Sequence, residues 1–151
     1  MISDESWMEE ALREAQRAAA SGEVPVGAAV VCGERIVGRG GNRNLRENDP
    51  TAHAEIIALR LAAREVGNHR LLDCEIFVTI EPCAMCAGAL VQARLRRLVY
   101  GADDPKAGAV RSVLQVLNHP GLNHRMEVTP GVLAARCAEL LRSFFTEKRK
   151  A

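Results

Sequence analysis

Residues 75–100, E-I-F-V-T-I-E-P-C-A-M-C-A-G-A-L-V-Q-A-R-L-R-R-L-V-Y, decide the fold. Glu75 to Ile80 is β-branched and apolar and reads as a buried strand. A helix follows Pro82 over Ala84 to Arg94, and Arg97 to Tyr100 reads as a second short strand. Strand, helix and strand in that order imply a parallel right-handed crossover. In open sheets of this kind ligands collect outside the carboxyl ends of the strands, and Cys83 lies just past one such end.

Upstream, Val26 to Cys32 is an apolar strand, Gly33 and Glu34 form a two-residue turn signal, and Arg35 to Gly38 can return antiparallel as a hairpin. Ala54 to Val66 sets Ile57, Leu61 and Ala62 against Arg60 and Arg64, an amphipathic helix closed by Gly67. Nearer the start, Trp7, Met8, Ala11, Leu12, Ala15 and Ala19 recur at helical spacing after Ser3 or Asp4, with Gly22 placed to end that helix. Leu133, Cys137, Leu140, Leu141, Phe144 and Phe145 give a closing helix whose apolar face covers the sheet. The pattern predicts an α/β three-layer α/β/α fold with a central mixed sheet of about five strands and helices on both faces. No repeat, low-complexity stretch or linker interrupts residues 1–151, which read as a single domain.

At 151 residues, 48% hydrophobic and 26% charged, the chain has the composition of a soluble globular protein. It can bury roughly two thirds of its unfolded surface, so no cross-link is needed for stability. Twenty Lys and Arg against 19 Asp and Glu leave a formal charge of +1, which provides no global field to recruit nucleic acid. The basic runs Arg94, Arg96, Arg97 and Lys148, Arg149, Lys150 read as solvated surface. The acidic start, with Asp4, Glu5, Glu9 and Glu10, does not resemble a secretory signal, and no apolar run approaches a membrane span. Five cysteines, an odd number without such a signal, point to a reducing compartment, and the expected location is the cytoplasm. Cys32, Cys74 and Cys137 lack partner spacing and read as small apolar residues. His69, His119 and His124 carry no metal-ligand pattern.

The chemistry concentrates in Pro50-Thr51-Ala52-His53-Ala54-Glu55 and Glu81-Pro82-Cys83-Ala84-Met85-Cys86, each at the start of a predicted helix. Cys-x-x-Cys there lets two sulfurs converge on one point, the helix N-terminus favours thiolate, and a histidine from elsewhere supplies a third ligand. His53, Cys83 and Cys86 thus form a zinc set with one tetrahedral position open, the mark of a catalytic site. Two thiolates cancel the formal charge of the ion, so a base must assist, and Glu55 is the candidate. In a regular helix residues two apart point to opposite sides; a metal above the first turn would let His53 ligate it while Glu55 reaches the bound water from another direction. The bland alternative for Cys83 and Cys86 is a thioredoxin-like redox pair, but no active-site Trp or Gly precedes it and His-Ala-Glu would be left without purpose.

His-x-Glu with Pro-Cys-x-x-Cys is the known signature of zinc nucleobase deaminases, and on it the chain resembles the cytidine deaminase superfamily. Glu23 to Ala28, Asn42-Arg43, Asp49 to Glu55, Glu81 to Gly88, Tyr100 to Ala102, Lys106 to Ala109 and Asn123 to Arg125 extend the resemblance to the bacterial tRNA-specific adenosine deaminases. It implies hydrolytic conversion of the wobble-position adenosine of a tRNA anticodon, that of an arginine tRNA, to inosine. Zinc-activated water would attack, with one Zn2+ per chain and Glu55 as proton shuttle. It further implies that Asn42 hydrogen-bonds the target base, that the Ala54 backbone N–H faces it, and that Val26 and Ile80 line the pocket. Asp104 and Phe145 would contact the target and neighbouring loop nucleotides, and the enzyme would be a homodimer with no membrane role. Gly41, before the Asn-Arg pair, and Asn44 to Glu47 after it depart from the family pattern. Two alternatives share the motif: a free nucleobase or nucleoside deaminase for guanine or cytosine, and a non-enzymatic zinc-stabilised interaction module. Glu55 at the open metal position argues against the second.

Overall fold

In the computed structural model, which describes residues 2–150, the Ser3 side chain accepts the Ser6 N–H and opens α1 (Asp4–Ala20). Asp4 and Glu5 in its first turn complement the positive helix end. Gly22, at φ +83°, follows its last turn. β1 (Gly27–Cys32) and β2 (Arg35–Gly41) form the expected hairpin, with a register shift at Val30/Val31. After α2 (Asn44–Glu47) comes α3 (Ala54–Val66), stopped by Gly67 at φ +76°. Next are β3 (Cys74–Ile80), α4 (Ala84–Ala93), β4 (Arg97–Ala102), β5 (Glu127–Thr129) and α5 (Ala134–Lys150).

The sheet order is β2-β1-β3-β4-β5. β1 runs antiparallel to β2 and β3, whereas the β3/β4 and β4/β5 pairs are parallel, so the sheet is mixed. Alternation along the strands separates two apolar faces. Val30, Ile76, Val78, Leu98 and Tyr100 pack with Ala58 and Ala62 of α3 and with Ala87 and Leu90 of α4. Val31, Phe77 and Val99 pack with Met8, Ala11 and Leu12 of α1 and with Cys137 of α5. This is the predicted three-layer α/β architecture. The crossover from β3 to β4 through α4 brings the start of α4 to the carboxyl end of the sheet. Among the described residues no helix is long and apolar enough to cross a membrane.

Three features depart from the sequence reading. The short elements α2 and β5 lack a periodic apolar pattern, so local periodicity does not predict them. Arg97 is not solvated surface: its guanidinium donates to Asp4 of α1 at 2.7 and 3.0 Å, to Glu75 of β3 at 2.6 Å and to Thr129 of β5 at 3.1 Å, tying three elements together. Cys32 and Cys74 are not free apolar residues but a disulfide, because the β1/β3 register sets them directly opposite, with Cα atoms 4.3 Å apart. Sequence separation hid that pairing; strand register creates it. Cys137 is free and buried, as expected.

Candidate metal centre and substrate pocket

His53 and Cys83 occupy equivalent places, the N-cap positions of α3 and α4, in extended backbone (φ −77°, ψ 154° and φ −75°, ψ 178°). Neither side chain caps its own helix; both turn toward a common point instead. The open amide at the start of α3 is satisfied from a distance, since Asn42 Oδ1 accepts the Ala54 N–H at 2.8 Å. Cys86 lies one turn into α4 and is fully buried, on the same helix face as Cys83.

Cys83 Sγ stands 3.6 Å and Cys86 Sγ 3.4 Å from His53 Nδ1, and the three ligand atoms lie within 4.8 Å of one another. A tetrahedral zinc, with Zn–S about 2.3 Å and Zn–N about 2.05 Å, requires sulfur and nitrogen about 3.6 Å apart. The spacing and the donor set therefore fit zinc, and three protein ligands leave one position for a non-protein ligand.

The protonation pattern describes groups competing for one point. The Cys83 thiol is lowered to about 3, first by its hydrogen bond with Cys86 and then by that with His53. Cys86 is pushed up by the same pairing and by burial. His53 is raised, chiefly by its bond to Cys83 and against the effect of burial. Glu55, only 3% exposed, has its carboxyl held above the ordinary range by burial, with the nearby His53 and Cys86 opposing. A carboxyl shifted in that direction is suited to accept and return a proton.

A cavity of about 340 Å³ opens above these groups. Val26, Asn42, Ile80, Asp104 and Phe145, the predicted substrate contacts, line it together with His53, Glu55 and Cys83. Ala54 stands apart from that prediction. It is fully buried, it is not part of the cavity wall, and its N–H is donated to Asn42, because a helix start needs that amide satisfied.

Val24, Glu81, Lys106 and Ala107, to which the sequence pattern assigns no individual role, also line the cavity, as does Leu141 from the apolar face of α5. Glu81 carries a readable signal: a carboxylate that ends an apolar strand with no basic residue nearby must find backbone donors. It is 1% exposed and accepts the N–H groups of Asp104, Val110, Arg111 and Ser112 at 2.8 to 3.0 Å, together with the Ser112 hydroxyl. Burial alone would raise its carboxyl; these bonds hold it down at about 2. Glu23, equally buried, accepts the Leu45 and Arg46 N–H groups at 3.0 and 2.8 Å and so fixes α2. Gly41 is explained by α1: a Cβ there would stand 2.8 Å from Glu14 O and 2.9 Å from the Ala18 side chain. His119 accepts the nearby Gly121 N–H and His124 Nε2 bonds the distant Leu95 carbonyl, in keeping with their lack of a ligand pattern.

Comparison with known proteins agrees with this geometry. The profile of the MafB19-like deaminase family matches residues 2–149. A tRNA-specific adenosine deaminase of Haemophilus influenzae is 49% identical over 148 residues, 97% of this chain and 86% of that protein. Among solved structures, a tRNA:A34 deaminase studied for A-to-I editing at the wobble position superposes with a TM-score of 0.86 at 46% identity, covering 89% of this chain and 98% of that one. A guanine deaminase from Nitrosomonas europaea superposes with a TM-score of 0.82 at 27% identity, covering 95% and 85%.

Proposed function

This chain belongs to the MafB19-like deaminase family, and from that premise we propose that it hydrolyses the wobble-position adenosine of a tRNA anticodon to inosine and ammonia. The observation that carries the reading is the meeting of His53, Cys83, Cys86 and Glu55 at one cavity. The tRNA-specific adenosine deaminase of Haemophilus influenzae and the tRNA:A34 deaminase are similar at 49% and 46% identity, against 27% for the Nitrosomonas europaea guanine deaminase, which favours RNA over a free base.

One zinc ion per chain would be held by His53 Nδ1 and the sulfurs of Cys83 and Cys86 and would supply Lewis acidity to water, weakened by the two thiolates, so that Glu55 has to assist as base. The Glu55 carboxylate takes the proton from the water that attacks C6 of adenine. It returns that proton to N1 of the ring, then takes the second one from the new C6 hydroxyl and passes it to the amino group, so that the C6–N bond breaks, ammonia departs and C6 becomes the carbonyl of inosine. The Asn42 amide NH2 faces the base while its oxygen stays on Ala54, and Val26 and Ile80 close over the ring as apolar walls. Asp104 and Phe145 take the adjoining nucleotides of the loop, where extrusion of a base costs less than from a duplex. The substrate is an arginine tRNA, the assembly a homodimer with RNA touching both subunits, and the location cytoplasmic.

The test is to incubate the protein with an anticodon stem-loop and, separately, with free adenine, guanine and cytosine, measuring ammonia and inosine. Inosine in the stem-loop alone is expected. Guanine turnover without RNA turnover overturns the substrate class. Elemental analysis should return one zinc per chain, and sedimentation should return a dimer.

A further inference from the structure

The segment 103–112 is a long connection without regular secondary structure, yet it supplies Asp104, Lys106 and Ala107 to the cavity wall. Its shape is set from inside. Glu81 Oε1 accepts the Asp104 N–H at 3.0 Å and the Ser112 hydroxyl, while Oε2 accepts the N–H groups of Val110, Arg111 and Ser112 at 3.0, 2.8 and 2.9 Å. The loop therefore wraps a buried carboxylate with its amides pointing inward. Gly108 marks the closest approach. A Cβ there would collide with the Glu81 carboxyl carbon and both oxygens, while its backbone has no need of the left-handed region. The Pro82 carbonyl adds a bond from Ala109 N–H at 2.8 Å, and the residue after that is the ligand Cys83.

We propose that Glu81 is a positioning residue for the deamination reaction: its carboxylate holds the substrate-facing wall 103–112 in fixed register with Cys83, the metal ligand two residues along the chain. The wall is thereby ordered before RNA arrives, so binding does not bear the entropy of ordering it. This rests on the proposed tRNA substrate. Asp104 depends on Glu81 most directly. Its N–H sits on Oε1, and its own Oδ1 accepts the Lys106 and Ala107 N–H groups at 3.0 and 3.2 Å.

The substitution Glu81→Gln separates positioning from folding. A glutamine NH2 at the Oε2 place would face three N–H donors. At the Oε1 place it can donate to the Ser112 hydroxyl and lose only the Asp104 bond, and that is the orientation it will take. Glu81→Gln should therefore release the Asp104 end of the wall and keep the rest. KM for the stem-loop should rise roughly tenfold or more, the loss of one hydrogen bond to a charged group. Zinc content should stay at wild-type level and kcat should move by less than about threefold. Amide hydrogen exchange of the peptide spanning 103–112 should quicken, with the rest of the chain unchanged. Gly108→Ala approaches the same contact from the loop side and should shift KM and exchange in the same direction, and the double variant should be no worse than the more severe single one. An unchanged KM in Glu81→Gln, or exchange raised across the whole chain together with zinc loss, overturns the positioning role. Absence of stem-loop turnover by the wild type instead overturns the substrate reading, and the local exchange measurement still decides for or against the role of Glu81.

Discussion

Asn42 is predicted to do two separable things, and two substitutions distinguish them. Its Oδ1 accepts the Ala54 N–H at 2.8 Å, where His53, the N-cap residue, leaves α3 uncapped by its own side chain. Ala54 is fully buried and Asn42 is 8% exposed, so water does not replace the bond. Asn42→Ala leaves a buried amide without a partner, at a cost of about 1–3 kcal/mol, which agrees with the loss of a helix cap. At about 2–4 °C per kcal/mol for a domain of this size, melting should fall by roughly 4–8 °C for a central loss of about 2 kcal/mol. Asn42→Asp keeps the acceptor and places a negative charge at the first turn of α3, a gain of about 0.3–1 kcal/mol, opposed by the anionic Cys83 nearby. It should recover at least half of the lost stability. Both variants lose the NH2 proposed to face the base, so kcat/KM for the stem-loop should drop roughly tenfold to a hundredfold in each, the cost of about 1–3 kcal/mol for a polar group of the base left without its partner. Thermal melting followed by circular dichroism and initial-rate measurements on zinc-loaded protein check both. If Asn42→Asp melts as low as Asn42→Ala, the capping argument fails; if it keeps kcat/KM within twofold of wild type, the amide does not read the base.

Glu55→Gln preserves shape but removes the proton carrier, so kcat should fall by at least about a hundredfold while zinc content holds and melting does not decrease; substantial turnover would reject the shuttle. The Cys32–Cys74 disulfide closes a separation of 42 residues, for which chain entropy gives an upper limit of about 4 kcal/mol. Because the pair sits at the end of β1 and the start of β3, opposite the cavity, reductant should lower melting without changing kcat/KM, and oxidised, zinc-free, unfolded protein should titrate three thiols rather than five. Asp4 has its carboxyl lowered by the hydrogen bond from Arg97, so its contribution is present above its unfolded pKa near 4 and vanishes as pH falls through the lower folded value. Asp4→Asn should then cost about 1 kcal/mol at pH 7, discounted for the 31% exposure of Asp4, and a shrinking amount as pH falls below about 4; a cost that does not shrink on acidification contradicts the ion-pair account.

What was legible in the sequence had a local cause. Alternating and β-branched runs gave β1 and β3, helical spacing with Gly67 gave α3 from Ala54 to Val66, and the two motif segments gave the metal set before any contact was visible. What stayed hidden was non-local. The disulfide depends on β1/β3 register, the embedding of Arg97 depends on α1 and β5 meeting at β4, and the use of the Ala54 amide by Asn42 depends on a loop folding back across 12 residues. Glu23 and Glu81 are intermediate cases: each is a carboxylate flanked by apolar or small residues, a signal of burial, but which amides they accept is settled only by the folded loops.

The spacing of His53 and Glu55 is where local rule and site geometry meet. Two residues apart in a helix point away from each other, and the structure escapes this by placing only one of them in the helix. His53, in extended backbone at the N-cap, is free of helical side-chain direction. Glu55, in the first turn, follows the general lean of helical side chains toward the N-terminus, which is the direction of the metal ligands. Cys83, at the N-cap of α4 in extended backbone, and Cys86, in its first turn, use the same device with a spacing of three. The starts of α3 and α4 thus both point their positive ends at a cluster of two sulfurs and a carboxyl, groups that repel one another as anions. A dication bound there would neutralise the sulfurs and leave Glu55 as the uncompensated charge. Shifting His53 one residue toward Glu55 would force it into helical geometry and separate ligand from proton carrier, so the His-x-Glu spacing is a requirement of the helix end and not only of the metal.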